Sequence, residues 1–192
     1  MKKCLVIMMA VIMLMSTAHA FAEESWVEIT VHNATMKIRR TDVIQRDYDI
    51  YDINAEIFNI WPDYQDDDFV HDYINIKWTP SELGDVSSKK EAEFYAMGTA
   101  SFEREKIVGE KIGIQVSNGK VLNVQALPNE KTVMLFMSMD FYSIERDEKV
   151  TVYIMYMFTA AEDGTYVFSF GSRSLDALQM MIDKYYSTVQ IK

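Results

Sequence analysis

The 192-residue chain has one cysteine, three prolines and seven glycines, and each shortage removes a class of protein. So little Gly and Pro beside 49% apolar residues excludes collagen-like, low-complexity and disordered chains. The one cysteine, Cys4, stands in the charged start of a leader. The mature chain is therefore expected to contain none, which excludes thiol catalysis, thiolate metal sites and disulfide bracing. A domain of this size without disulfides must be held by its core. Only His32 and His71 follow the leader, and there is no Gly-x-Ser-x-Gly elbow, glycine-rich phosphate loop or dinucleotide fingerprint. Bases are also in deficit, at 19 Lys and Arg against 29 Asp and Glu. Without a basic footprint, nucleic acid and anionic membrane surfaces are poor partners.

Long apolar runs are absent except at the start. Lys2 and Lys3 precede an apolar run from Leu5 to Met15, followed by Ser16, Thr17 and Ala18-His19-Ala20. About eleven apolar residues are too few to cross a ~30 Å hydrocarbon core, and the small residues sit where a signal peptidase cuts. Residues 1–20 read as a secretory signal peptide. Cleavage is expected after Ala20, or two residues later in Ala20-Phe21-Ala22. The expectation is a secreted or periplasmic bacterial protein, not membrane-spanning after cleavage, with one domain over 21–192.

Loss of Lys2 and Lys3 leaves 17 bases against 29 acids, a formal charge of −12. From Asp42 to Asp72 there are ten acids against Arg46 alone, so this segment carries −9 of the total. It is the most distinctive surface the sequence offers.

The remaining residues predict α+β structure. Trp26 to Val31, Thr35 to Ile38, Glu56 to Trp61 and Tyr73 to Trp78 read as strands, with an irregular stretch from Arg40. Ser88-Lys89-Lys90-Glu91 is a capping box that opens a helix, expected to end near Lys106 and to bury Ala92, Tyr95, Ala96, Thr99 and Phe102. From Lys111 to Ser172 short β-rich runs alternate with turn residues as in an antiparallel meander. Asn118-Gly119 is the expected hairpin turn between strands at 111–116 and 120–127, and further strands fall near 131–142, 149–159 and 165–171. Ser174 caps a closing helix to about residue 187, with Leu175, Leu178, Met181, Ile182 and Tyr185 on one face. The strands 131–142 and 149–159 are apolar on nearly every position of both faces, so both faces should be covered. An antiparallel sheet sandwiched between the two helices follows.

The order of strand, capped helix and hairpin meander, then a Thr165-Tyr166-Val167-Phe168-Ser169-Phe170 strand and a closing helix with Tyr186-Ser187-Thr188-Val189, resembles the PsbP-like superfamily over roughly residues 86–192. The resemblance implies an antiparallel sheet between helices that serves as a binding or assembly module, with no catalytic set to carry over.

Three features are candidate sites. Asp63, Asp66, Asp67, Asp68 and Asp72 bring hard oxygen ligands of the kind calcium takes, without the glycine and terminal glutamate of an EF-hand; a solvated acidic turn is favoured over a metal site. Met137/Met139 and Met155/Met157 each share a strand face, which suits copper(I), although core filling is the favoured use. Phe136, Tyr153, Met155 and Met157, with Met134 beside them, form a face that is expected to be covered by helices and that would serve a partner or lipidic ligand if open. Trp61 and Tyr64, beside the acidic turn, are added to this partner surface. The first reading is a non-enzymatic binding or assembly module for an envelope protein partner or small ligand. The alternative is an envelope hydrolase or glycan-active enzyme using paired carboxylates.

Overall fold

The computed structural model describes residues 25–48, 56–64, 69–80, 91–127 and 131–192. Residues 1–20, expected to be a leader, Asp66 to Asp68, and Ser88 of the expected capping box lie outside the described residues. In chain order the elements are β1 (Trp26–Val31), β2 (Ala34–Arg39), β3 (Val43–Tyr48), β4 (Glu56–Trp61), β5 (Tyr73–Thr79), α1 (Glu91–Lys111), β6 (Ile114–Leu127), β7 (Thr132–Ser143), β8 (Glu148–Ala161), β9 (Gly164–Ser172), α2 (Leu175–Tyr185) and β10 (Gln190–Ile191), with a 3-10 turn at Tyr186–Thr188. The chain is α+β, and mostly antiparallel sheet.

Seven strands form one sheet in the order β3-β4-β5-β9-β8-β7-β6, and β1-β2-β10 form a second. Every pairing is antiparallel. Because successive strand residues point to opposite faces, the large sheet has two cores. On one side Leu135, Met137 and Met139 of β7 meet Val152, Ile154 and Tyr156 of β8, and α1 lies along β6 and β7. On the other side Ile74, Ile76, Phe168 and Phe170 pack with Met36 and Ile38 of β2 and with Leu178, Met181 and Tyr185 of α2. Full burial of a side chain such as Phe168 or Phe170 stabilises the fold by about 1.5–3 kcal/mol. The second side is therefore covered by a small sheet as well as a helix, and the strand content exceeds what the sequence suggested.

The serine at the start of α2 does what its position predicts: Ser174 Oγ accepts from the Ala177 amide at 3.4 Å. Leu178, Met181 and Tyr185 are buried, whereas Leu175, expected on the same face, is half exposed.

Three expectations are corrected. First, α1 runs to Lys111 and buries Phe94, Gly98 and Gly109, while Ala92, Tyr95, Ala96 and Thr99 are exposed. The packed stripe is partly glycine, so counting apolar residues selects the wrong face. A Cβ on Gly98 would meet Val121, and one on Gly109 would meet the Ile114 carbonyl and Val116; these glycines let β6 approach the helix. Second, Asn118-Gly119 makes no hairpin. β6 is continuous through it, with a register shift between Ser117 and Lys120. Asn118 takes the positive φ of 53°, and Gly119 lies against the Phe102 ring, where a Cβ would overlap it. The pair is a bulge that seats α1. Third, the stretch after Arg40 holds an ordered edge strand, β3, paired with β4 from Val43↔Trp61 to Tyr48↔Glu56.

Candidate functional site

The methionine and aromatic positions of β7 and β8 separate into two populations. Phe136, Tyr153 and Met155 are half-buried on the α2 side of the sheet, with the Phe136 and Tyr153 rings stacked at 6.3 Å. Met157 shares their face but is only 1% exposed, because it lies in the core beneath α2 and β2. It offers no contact surface, and the partner surface is corrected by its removal. Met137 and Met139 are buried on the opposite face.

Beyond α2 the half-buried face runs toward a groove of about 360 Å³ lined by Thr132, Thr159, Ala161, Tyr186, Val189 and Ile191. Its polar groups include Thr132 and Thr159, whose hydroxyls lie 3.1 Å apart. At the other end of the strands Asp140 accepts from Asn118 at 2.7 Å and Thr151 at 2.8 Å and pairs with Lys149 at 2.7 Å. These hydrogen bonds hold the Asp140 carboxyl at about 2. The result is an apolar strip whose ends carry polar groups that are already hydrogen-bonded within the fold.

Asp63 is exposed and pairs with Arg39 at 3.0 Å, Asp72 is half-buried, and Asp66, Asp67 and Asp68 lie outside the described residues. Among the described residues no group of three or more His, Cys, Asp and Glu is placed to hold a metal ion. Trp61 is half-buried, and Tyr64 is exposed with its ring tilted over His71 at 4.4 Å. Asp42, counted among the acids of this segment, is buried. Arg39 donates to it from Nε at 2.9 Å and from its backbone amide at 2.8 Å, and Tyr185 OH donates at 3.0 Å. This node ties β2 to α2.

Two polar clusters escaped the sequence. At the β1–β2 turn His32 stacks on Trp78 at 3.8 Å and places Nε2 3.3 Å from Asp163 Oδ2. Asn33 Nδ2 and Tyr166 OH donate to the same oxygen at 2.6 and 2.7 Å. Burial works against the Asp163 charge, but the Tyr166 and Asn33 hydrogen bonds outweigh it and hold the carboxyl below its ordinary value. Asp163 Oδ1 and Trp78 Nε1 are buried without a partner among the described residues. The contacts fasten the β1–β2 turn to the β8–β9 turn. No local motif announces them, since Asn33 and Asp163 are 130 positions apart. The second cluster is Glu105 of α1, which burial raises above the ordinary carboxyl range. Tyr156 OH lies 3.5 Å from it.

Compared with known protein families and with curated proteins, the chain matches none. No described helix is long and apolar enough to cross a membrane.

Proposed function

We propose that the chain is an exported, non-enzymatic binding or assembly module of the bacterial envelope, built on the helix-flanked antiparallel sheet that the PsbP-like resemblance implies. The observation that carries this reading is the strip of Phe136, Tyr153 and Met155, half open beside Phe168 and Phe170 of β9, which are fully buried on the same face. Aromatic and methionine side chains at a rim of polar groups are what protein contact surfaces enrich. The leader-like segment at 1–20 supports the compartment, and the antiparallel sheet with its two helices supports an α+β module.

The strip contains its own control. In oxidative footprinting of the free protein Met155 should be labelled and Met157 spared. Adding the protein's envelope partner should protect Met155, and Phe136→Asp should abolish the association while leaving circular dichroism unchanged. A Met155 that is as inert as Met157, or a Phe136→Asp protein that still associates, overturns the reading.

The enzymatic alternative has one observation in its favour, the raised Glu105 carboxyl, since a buried acid of this kind marks many active sites. A glycosidase needs a second carboxyl about 5–9.5 Å away, whereas the hydrogen-bonding neighbour of Glu105 is a tyrosine.

A further inference from the structure

The two outer strands of the large sheet differ in how they are guarded. β6 has register shifts at Ser117/Lys120 and Val121/Asn123 and is packed by α1. Bulges of this kind twist an edge away from further pairing. β3 has neither guard: its register with β4 is unbroken over six residues, and no strand pairs with its outer side among the described residues. In an antiparallel edge strand every second residue turns its N–H and C=O outward. Val43 and Ile44, consecutive and therefore on opposite faces, are 44% and 41% exposed. By contrast β1, the outer strand of the small sheet, turns Val27 and Ile29 into the core.

We infer that the outer edge of β3 accepts an extended, basic segment of a partner protein as an added strand, a contact separate from the Phe136 strip. The backbone groups supply the pairing, and Val43 and Ile44 supply apolar contacts on the two faces. Charge selects the occupant. The strand lies in the segment that carries −9; its first residue pairs beside the exposed Asp63, and Glu56 stands opposite its last. Arg46 is the one base there, and it lies 4.0 Å from Glu56. A second copy of the chain would bring the same negative charge to the edge, whereas a lysine-rich strand is attracted.

The test uses the mature protein with three capped decapeptides: alternating Lys-Val, alternating Glu-Val, and a Lys-Val copy with two consecutive central amides N-methylated. Amide exchange is followed over residues 43–48, with 114–127 as the control edge. Lys-Val should slow exchange in 43–48 by about tenfold and leave 114–127 unchanged. The Glu-Val and methylated peptides should give no protection. A Val43→Lys/Ile44→Lys protein, altered only at exposed positions, should lose the effect while keeping its circular dichroism. The inference falls if the methylated peptide protects equally, if protection lands on β6, if millimolar Lys-Val protects nothing, or if 43–48 become protected by raising the protein concentration alone, which would name a second copy as the occupant. None of these outcomes touches Met155, so failure here and failure of the Phe136 strip are read separately.

Discussion

The two sides of the seven-stranded sheet are held by different means. On the α2 side, charged hydrogen-bond nodes at Asp42 and Asp163 pin the small sheet down. On the α1 side the fit is steric, with Gly98 and Gly109 admitting β6 and Gly119 admitting Phe102, and desolvation pushes the half-buried acid Glu105 toward its neutral form. One side thus depends on charge that stays paired and the other on volume that stays empty, so the two should fail under different perturbations.

The largest effect is expected at Asp42. Asp42→Ala leaves the guanidinium of Arg39, itself mostly buried, with only the exposed Asp63 as an ion-pair partner and removes the acceptor of Tyr185. Breaking a buried pair from one side costs about 3–5 kcal/mol, to be read as a fall in the urea midpoint at unchanged slope. Next, Gly119→Ala drives a methyl into the Phe102 ring; overpacking of this kind costs about 1–3 kcal/mol. Amide exchange should accelerate in α1 while α2 is spared, and a uniform loss would erase the contrast between the two sides.

A smaller and more diagnostic effect is the sign of the pH dependence. The folded value of Asp163 lies below its ordinary 3.8, so its contribution is present above that pH and is lost as pH falls through the folded value. Glu105 is the reverse. Its folded value lies above 4.5, so stability is greatest below that pH and is lost as pH rises through the folded value. Urea midpoints across pH should therefore lose their acid limb in Asp163→Asn and the opposite slope in Glu105→Gln. Parallel curves for the two variants would show that the sides are not electrically distinct. The smallest change is expected at Leu175→Ser, within about 0.5 kcal/mol, because Leu175 is half exposed while Leu178, one turn on, is buried.

Strands with strong alternation were legible almost to their ends: β1, β4 and β5 follow directly from β-branched and aromatic runs bounded by turn residues. The serine that starts α2 was equally plain, because capping is a local contact. What stayed hidden depends on tertiary space. Glycine at 98 and 109 is a helix breaker by propensity, yet here it is the packing surface, and only the position of β6 reveals that. Asn118-Gly119 suits a hairpin or a bulge equally well; the ring of Phe102 decides between them. β3 is mixed in polarity because an outer strand with both faces partly wet has no reason to alternate. Of the site, the Phe136 strip could be read from periodicity, whereas the Asp42 and Asp163 nodes could not. Their members are ordinary polar residues until the chain brings together positions 130 and 143 apart.

β2 is the middle strand of the small sheet, with β1 (residues 26–31) on one flank and β10 (residues 190–191) on the other. Thr188 bonds the Lys37 amide at 2.9 Å across 151 positions, and the Lys192 amide reaches the Asn33 carbonyl at 3.2 Å. A clasp of this kind closes late. The β1–β2 hairpin has one flank bare until residues 190–191 reach it, and a pairing of such long sequence separation is slow to close. Deleting residues 188–192 would therefore loosen β2 and, with it, β1, although neither is near them in the chain.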